Sequence, residues 1–307
     1  MATAIMHAKD LREKYLVGRN LPTIWCSGCG IGTVISATMR AIERLGLAQQ
    51  ETVFCIGIGC SGYSSRYVNF DATHTLHGRA LPVATGMKLA NPKLKVIVLT
   101  GDGDSMAIGG NHFIHAARRN IDLTTIIFNN GIYGMTGGQY SPATPFGALS
   151  TTSPYGMIEG DFDAAKLAIA AGATYVARSS TYHAQQLTDI IAGAITHPGF
   201  SVVDALCQCP NHFGRLNKQG TAAAMMRGYR DQCVRVGPTD GTAGEAAGAT
   251  GESAGATDGG SMPVARVDLD RYEGTGRIPI GLLYKAIRPE LTAEYAKVRE
   301  ATEASEA

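Results

Sequence analysis

Apolar residues along most of this chain follow two alternating patterns. Short continuous apolar runs, typical of strands buried on both faces, lie at 53–58, 95–100, 123–129, 174–177 and 200–206. Stretches with the apolar spacing of a helix separate them, at 80–89, 109–119, 163–171 and 182–196. Strands that alternate with helices form βα units, which build a parallel sheet covered by helices on both faces. The pattern therefore predicts an α/β fold.

The pattern changes after residue 235. Residues 237–261 consist almost wholly of Gly, Ala, Thr, Ser, Glu and Asp and have no apolar period, which is typical of a flexible insertion. A short apolar run at 279–286 and a charged, exposed helix at 292–307 follow. We therefore expect one main domain with an appended segment, divided as domain 1–235, insertion 236–261 and carboxy-terminal segment 262–307.

Composition and charge exclude some functions. The 27 basic and 26 acidic residues leave a formal net charge of +1, so charge gives no reason to expect nucleic acid or an anionic membrane as a partner. No window reaches the roughly 18–20 uncharged apolar residues of a membrane span. The charged start of the chain also lacks the apolar stretch of a signal peptide. We therefore expect a soluble, cytoplasmic protein.

Two motifs at strand ends predict a site for a diphosphate and a magnesium ion. Gly-Asp-Gly-Asp occupies 101–104 after one predicted strand, and Asn-Asn occupies 129–130 after the next. Glycines at a strand end let the backbone approach an anion, and a following helix presents free N–H groups. Mg²⁺ prefers oxygen ligands, which Asp102, Asn130 and the carbonyl of Ile132 can supply.

The pairing of these motifs carries more information than either alone. Tight strand–helix turns use Gly-Asp-Gly for geometry, without any ligand. When Asn-Asn follows after a helix and a second apolar strand, the pattern resembles the signature of the thiamine-diphosphate-binding fold. The resemblance implies that this diphosphate belongs to thiamine diphosphate.

The seven cysteines are better interpreted as reduced thiols for metal or catalysis than as disulfides, because we expect a cytoplasmic chain. The C-x-x-C motif at 26–29 lies in a glycine-rich loop and on its own fits a zinc half-site, a redox motif or no function. The other thiols follow apolar strands, whose ends converge at one edge of a parallel sheet. We therefore expect a 4Fe-4S cluster on Cys26, Cys29, Cys60 and one of the pair Cys207 and Cys209.

Other titratable residues fit structural roles better. Cys55 lies inside an apolar run, and Cys233 has no partner nearby in the sequence, so we predict that both are packing residues. His74, His112 and His115 are predicted to have surface or capping roles.

Six motifs in order resemble those of the beta subunit of the 2-oxoacid:ferredoxin oxidoreductases, and the match covers nearly the whole chain. They are CSGCG at 26–30, GIGCSG at 57–62, HTLHGRALPVATGMK at 74–88, GDGD at 101–104, NNGIYGMTGGQ at 129–139 and CP at 209–210. An ordered set of this size is highly specific.

The resemblance implies a role for each matched residue. The cluster ligands are Cys26, Cys29, Cys60 and Cys209, the last because the family's fourth cysteine precedes a proline. Magnesium is held by Asp102, Asn130 and the Ile132 carbonyl. Thiamine diphosphate contacts Ile58, Gly59, Cys60, Ser61, His77, Gly78, Gly103, Asp104, Asn130, Gly134, Met135 and Thr136. The candidate catalytic residues are His77 and, with a weaker claim, Arg79.

The resemblance also implies the reaction and its partners. It is the oxidative decarboxylation of a 2-oxoacid, in which coenzyme A takes the acyl group and the cluster passes electrons to ferredoxin. The glutamate that activates the pyrimidine ring comes from another subunit or domain in this family, and this chain has one copy of the diphosphate motif. We therefore expect an alpha subunit that carries the pyrimidine domain, in a heterodimer or a dimer of heterodimers.

The preferred substrate is predicted to be 2-oxoglutarate. The segments 133–145 and 211–218 resemble 2-oxoglutarate members more than pyruvate members. A dicarboxylate needs a cation for its distal end, and Arg66 and Arg215 are candidates because a guanidinium matches a carboxylate.

Two other classes of function share parts of these patterns. A non-oxidative thiamine-dependent decarboxylase needs the site at Asp102 and Asn130 but no cluster, so the cysteines argue against it. An electron-transfer or structural metal module needs the cysteines alone, so the Asn-Asn motif argues against that.

Overall fold

A nine-stranded sheet forms the centre of this computed structural model, which describes residues 8–237 and 262–306. The strands of the described residues are β1 (Thr52–Ile56), β2 (Asp71–His74), β3 (Lys95–Gly101), β4 (Leu123–Asn129), β5 (Ile132–Tyr133), β6 (Gln139–Tyr140), β7 (Tyr175–Ser180), β8 (Phe200–Leu206), β9 (Cys233–Arg235), β10 (Met262–Arg266) and β11 (Ile278–Ile287). β5 and β6 form a separate hairpin. The order across the main sheet is β10-β11-β7-β8-β4-β3-β1-β2, and β9 pairs with β11.

Helices cover both faces of this sheet. They are α1 (Ala8–Tyr15), α2 (Ile31–Leu45), α3 (Ala80–Ala90), α4 (Gly110–Arg119), α5 (Ala164–Ala170), α6 (Ala184–Thr196), α7 (Ala222–Gln232) and α8 (Leu291–Glu306). None of the helices in the described ranges is long and apolar enough to cross a membrane. The predicted α/β fold, with a parallel sheet between helices, is confirmed.

Alternation along each strand divides the core into two layers. In β1, Phe54 and Ile56 pack on the side of α2 and α6, whereas Val53 and Cys55 pack on the side of α3, α4 and α5. The strands from β1 to β8 that pair in the main sheet are parallel to one another. Such strands are buried on both faces and therefore appear as continuous apolar runs.

Two parts of the sheet differ from the sequence pattern. β2 is an edge strand with mostly exposed side chains, so it has no apolar run from which to predict it. β10 and β11 join the sheet antiparallel, through the pairing of β11 with β7. The carboxy-terminal segment is thus part of the sheet. Residues 238–261, which include most of the predicted insertion, lie outside the described residues.

The order of the strands creates a crevice above β1 and β3. From β1 the chain continues to β2 on one side, and then crosses back through α3 to β3 on the other side. In open α/β sheets, ligands bind at the carboxyl ends of strands where the winding reverses in this way. The loops after β1 and β3 carry residues 57–62 and 101–105, so two of the predicted motifs meet at this point.

Asn120 connects the carboxy-terminal segment to the core through side-chain hydrogen bonds. It ends α4 with a left-handed φ of 51°. Its Oδ1 accepts hydrogen bonds from Thr174 Oγ1 at 2.7 Å and Phe200 N at 2.9 Å, and its Nδ2 donates to the Pro289 carbonyl at 3.0 Å. Asn120→Ala should lower the free energy of unfolding by about 2–4 kcal/mol, because it leaves buried groups unpaired and strains the backbone.

Asn120→Gly is the matched control, since it loses the same hydrogen bonds but tolerates the left-handed conformation. Chemical denaturation of the two variants should show a loss about 1 kcal/mol smaller for glycine. Equal losses in the two variants would refute the contribution of backbone strain. Wild-type stability in both would refute the contribution of the side-chain hydrogen bonds.

Candidate functional site

A cavity of about 150 Å³ opens at the carboxyl ends of β1 and β3. Almost every residue predicted to bind the cofactor or magnesium lines it: Ile58, Gly59, Cys60, Ser61, His77, Asp102, Gly103, Asp104, Asn130, Ile132, Gly134, Met135 and Thr136. They come from four separate segments, after β1, before α3, after β3 and around the β5–β6 hairpin. The fold therefore brings the predicted motifs together in one place.

Asp102 is a buried carboxylate without a cationic partner. Its side chain is 3% exposed and accepts hydrogen bonds from Gly103 N at 2.9 Å and Ser141 Oγ at 2.7 Å. Burial raises its pKa to about 6, although these hydrogen bonds oppose the shift. None of the described residues forms an ion pair with it. A buried carboxylate in this state fits a bound cation, which would supply the missing charge.

Asn130 and Ile132 complete a set of oxygen atoms that fits Mg²⁺. Both line the cavity with Asp102. The Asn130 Oδ1 accepts a hydrogen bond from the Ile132 backbone N–H at 3.2 Å, which fixes the amide so that its oxygen stays with this loop. A carboxylate, an amide and a backbone carbonyl are hard oxygen donors of the type that Mg²⁺ takes beside phosphate oxygens.

Asp104 has a different position, because protein groups surround its carboxylate. Oδ1 accepts a hydrogen bond from Gly78 N at 2.6 Å and contacts His77 Nδ1 at 2.5 Å. Oδ2 accepts hydrogen bonds from Thr100 Oγ1 at 2.7 Å and Ile58 N at 3.3 Å. The carboxylate thus ties the loops after β1 and β2 to the end of β3, and it positions the walls of the cavity.

His77 reaches the cavity, whereas its neighbours do not. Its ring is about one-third exposed and lies edge-on to Tyr133, with 6.0 Å between the ring centroids. Because Nδ1 faces the Asp104 carboxylate, we assign the ring proton to Nδ1, which leaves Nε2 as the acceptor. Gly78 instead serves the turn, with a φ of +71° and its N–H on Asp104. The Arg79 guanidinium is outside the cavity lining and contacts His112.

Tyr133 closes one side of the cavity beside Gly103. Its hydroxyl donates to the Gly103 carbonyl at 3.1 Å, and a Cβ on Gly103 would lie 2.3 Å from the ring. Burial, followed by the charges of Asp102 and Asp104, raises the pKa of Tyr133 to about 12. The glycine is therefore required for the ring, and the hydroxyl stays protonated as a donor.

The four predicted cluster cysteines lie next to this cavity. A Cβ on Gly134 would lie 3.4 Å from Cys60 Sγ and 3.7 Å from Cys209 Sγ, so both sulfurs flank this glycine. Cys26 and Cys29 lie close enough to these two for the charges of the thiols to affect one another's pKa values. Cys60 also lines the cavity. The thiol group and the cavity thus share a wall.

Two side chains connect the segments that carry these cysteines. Gln208 Nε2 donates to the Gly28 carbonyl at 3.0 Å, and the Gln208 carbonyl accepts from Gly30 N at 3.0 Å. Trp25 Nε1 donates to the Cys60 carbonyl at 2.7 Å. These bonds hold the glycine-rich loop against the ends of β1 and β8.

The state of these thiols fits an iron-containing cluster. Burial raises the pKa of Cys29 to about 12 and that of Cys60 to about 11, and the neighbouring cysteines add to both shifts. Thiolates so close together repel one another unless iron compensates their charge. In the described ranges, no group of three or more His, Cys, Asp or Glu side chains is already placed to hold a metal ion. The cluster therefore stays a prediction that rests on the grouping of the four thiols.

The remaining cysteines have separate environments. Cys55 is fully buried in β1 and its thiol contacts the Ala80 carbonyl at 3.1 Å, which confirms its packing role. Cys207 is also fully buried, close to Cys29 and Cys209. Cys233 is half-buried in β9.

A buried network of charged side chains holds the first residue of the Asn-Asn motif. Asn129 Nδ2 donates to Asp204 Oδ1 at 3.0 Å, and Arg178 Nε donates to Asp204 Oδ2 at 2.7 Å. Arg178 also pairs with Asp163, which caps α5. These residues line a second cavity, of about 1300 Å³, which shares Asn130 with the first.

The structure also places the candidates for a distal carboxylate and the other histidines. Arg66 and Arg215 are exposed and are not part of the cavity lining, so the structure does not bring either of them to the site. His74, His112 and His115 are likewise outside the lining.

Several residues of the site escaped prediction from sequence. Tyr133, Gln208 and Trp25 adjoin predicted motifs, so their proximity was a usable signal. Ser141 lies two residues beyond the motif at 129–139, so it was also within reach of that signal. Arg178 lies far from any motif in the sequence, and only the fold brings it next to the Asp204 carboxylate that holds Asn129.

Known proteins share parts of this sequence and its fold. Residues 57–205 match the family model described as the thiamine pyrophosphate enzyme, C-terminal TPP binding domain. The chain is 56% identical over 198 residues to the 2-oxoglutarate synthase subunit KorB of Archaeoglobus fulgidus, which covers 64% of this chain and 74% of the relative. It is 47% identical over 190 residues to the 2-oxoacid:ferredoxin oxidoreductase subunit beta of Saccharolobus solfataricus, covering 61% and 62%.

A solved structure extends the similarity to nearly the full chain. It is the 2-oxoglutarate:ferredoxin oxidoreductase from Magnetococcus marinus with 2-oxoglutarate, coenzyme A and succinyl-CoA bound. The TM-score is 0.79 at 34% identity, and the match covers 98% of this chain and 92% of that chain.

The pKa of Asp102 predicts a pH dependence of stability. Because its folded pKa is raised from 3.8 to about 6, the carboxyl favours folding while it is protonated. The cofactor-free protein should therefore lose stability as pH rises from about 4 to about 6, by ~3 kcal/mol from this group. Asp102→Asn should lack this component. Denaturant unfolding between these pH values measures it, with the exposed Asp161→Asn as control, and superimposable profiles for Asp102→Asn and wild type would disprove it.

Proposed function

Because this chain belongs to the beta subunits of the 2-oxoacid:ferredoxin oxidoreductases, we propose that it carries the thiamine diphosphate and a 4Fe-4S cluster of an enzyme that converts 2-oxoglutarate and coenzyme A to succinyl-CoA and CO₂. The proposal depends most on the position of Cys60. This residue lines the cavity of predicted cofactor residues and is also one of the four clustered thiols. Electrons released in the cavity would therefore have an acceptor at its wall.

The diphosphate and Mg²⁺ would occupy the end of the cavity at Asp102. In this proposal Asp102, Asn130 and the Ile132 carbonyl hold the ion. The glycine-rich backbone at 57–62 and 101–103 lets the diphosphate approach the ends of β1 and β3. Gly59 suits this role for two reasons. Its φ of +95° favours glycine, and the space where a Cβ would lie has no protein atom within 4 Å, so a ligand can approach the backbone there.

Thiamine diphosphate, when bound, would supply the nucleophile and electron sink for decarboxylation, and a cluster on the four cysteines would supply one-electron chemistry. The chain's own residues orient and shield this chemistry. Asp104 holds His77 with Nε2 directed away from the carboxylate, so His77 can accept or return a proton at Nε2 near the substrate. The Tyr133 hydroxyl, bonded to Gly103, keeps the turn rigid. Arg79 stays a weaker candidate, because its guanidinium lies outside the cavity lining and contacts His112.

The site needs a partner subunit to be complete. The carboxylates in the lining of the cavity are Asp102 and Asp104, and both already have the roles given above. Neither is free to act on a pyrimidine ring. The volume of about 150 Å³ is also below the roughly 300–1,000 Å³ of ordinary ligand sites. We therefore place the pyrimidine half and its glutamate on an alpha subunit, in a heterodimer or a dimer of heterodimers.

The proposed substrate, 2-oxoglutarate, rests on the relatives. The proteins of Archaeoglobus fulgidus and Magnetococcus marinus are both named for 2-oxoglutarate. No Lys or Arg belongs to the described lining of the cavity, so we propose that the cation for the distal carboxylate also comes from the alpha subunit. Ferredoxin would take the electrons, as the names of the relatives state for those enzymes.

The pair Cys207 and Cys209 offers a matched test of the cluster. Cys209→Ala should remove a ligand, so iron should fall from about four per chain to near zero and the broad band near ~400 nm should vanish. Cys207→Ala should keep both, because Cys207 packs in the apolar core and is not one of the four predicted ligands. Iron analysis and visible spectra of the anaerobically purified complex measure this. The reverse result would move the fourth ligand to Cys207, and intact clusters in both variants would remove both residues from the set.

Substrate and reaction can be tested in one anaerobic experiment on the chain co-purified with its partner. The band near ~400 nm should bleach only when 2-oxoglutarate and coenzyme A are both present. Pyruvate is the control substrate. If the band bleaches with pyruvate and not with 2-oxoglutarate, the proposed substrate is wrong but the family's reaction stands. If a colourless protein releases CO₂, the result favours a non-oxidative decarboxylase.

A further inference from the structure

The segments that carry the cluster cysteines have an unusual charge. Residues 16–30, 57–70 and 207–229 contain no Asp or Glu, although the whole chain has 26 acidic and 27 basic residues. Of the five basic residues in these segments, Arg227 lies in α7 close to Asp231, and the other four, Arg19, Arg66, Arg215 and Lys218, are exposed. None of them forms an ion pair within the described part of the chain. We call these four residues the basic face.

Contacts between the segments join these cations into one surface around the cysteines. Asn20, next to Arg19, donates a side-chain hydrogen bond to the Arg66 carbonyl. Tyr67, next to Arg66, packs against Trp25 with 4.9 Å between the ring centroids. Trp25 precedes Cys26. The amino-terminal cations are therefore connected to the edge of the thiol group.

The other two cations lie close to Cys209. The Gly214 N–H donates to the Cys209 carbonyl at 2.9 Å, so Arg215 directly follows the turn that this bond closes, and the Lys218 N–H donates to the Arg215 carbonyl at 3.4 Å. On the opposite side, a Cβ on Gly28 would lie 3.8 Å from Pro210 Cγ. The loop of Cys26 thus meets the loop of Cys209.

The four thiols differ in their access to solvent. Cys26 is exposed, Cys29 and Cys60 are partly buried, and Cys209 is buried. Ile24, two residues before Cys26, is 59% exposed. An electron carrier must come close to the cluster, because electron transfer weakens steeply with distance. An exposed ligand with an apolar neighbour and surrounding cations meets that requirement.

We propose that the basic face is the docking surface for an acidic ferredoxin, which approaches the cluster at Cys26. The inference rests on the proposed function and names the partner surface for it. Each turnover releases two electrons, so two oxidised ferredoxins would each take one electron from the reduced cluster. Complementary charge speeds such an encounter and makes it sensitive to salt. A small, short-lived interface is typical of electron-transfer partners.

Charge reversal on the assembled, cluster-loaded complex tests the proposal. Arg19→Glu/Lys218→Glu should weaken binding of an acidic single-cluster ferredoxin at least about tenfold at low salt, with the difference shrinking as salt rises. The control Arg118→Glu/Arg119→Glu makes the same change of charge at the end of α4, which leads into β4 and so lies at the opposite edge of the sheet. Titration calorimetry at two salt concentrations measures ferredoxin binding directly, and reduction of methyl viologen reports the chemistry separately.

The outcomes separate this proposal from the proposed function. Weaker ferredoxin binding with unchanged viologen reduction supports the basic face. Equal binding by both double variants overturns it, whatever the activity. Loss of subunit assembly in the Arg19→Glu/Lys218→Glu variant also overturns it, because the surface would then belong to the alpha subunit. If the wild-type complex binds ferredoxin through this face but reduces neither acceptor with 2-oxoglutarate, the proposed function fails and the docking surface stands.

Discussion

The buried carboxylate of Asp104 is the constraint on which the geometry of the cofactor edge depends. It accepts hydrogen bonds from backbone N–H groups after β1 and before α3 and from the hydroxyl of Thr100 in β3. Its neighbours are fitted to it, since a Cβ on Gly57 would lie 1.6 Å from Oδ2. Three segments that are distant in sequence are therefore held at fixed spacing. Asp102, two residues earlier, remains available for a cation because Asp104 makes these structural contacts.

Burial disfavours the charged forms of several groups that are proposed to hold metal. Burial raises the pKa of the Asp102 carboxyl and of the Cys29 and Cys60 thiols, so each group resists the charge that a metal ligand must carry. A metal ion or cluster reverses this effect by supplying the opposite charge. Natural proteins often place such unfavourable groups at functional sites. Binding of the proposed metal ion and cluster would therefore contribute to the stability of the fold.

The sequence was most informative where one physical cause dominates. The buried strands had to be apolar on both faces, so β3, β4 and β8 were predicted nearly to their ends, and the motif glycines marked the cofactor edge. β2 was missed because an exposed edge strand needs no apolar run. Ser141, Arg178 and Arg79 show the other limit, because their contacts depend on how distant segments meet. Local sequence also could not show that Arg66 and Arg215 lie on the basic face and outside the cavity.

The antiparallel pairing of β11 with β7 also constrains the order in which the chain can fold during synthesis. β7 is buried along its whole length, yet its outer neighbour is not made until residues 278–287 have left the ribosome. At roughly 5–20 residues per second, the stretch between β9 and β11 keeps that edge unpaired for a time on the order of seconds. An unpaired strand edge is a template for association with other chains. The nascent protein therefore has an interval in which chaperones or the partner subunit can protect an edge that the finished protein no longer exposes.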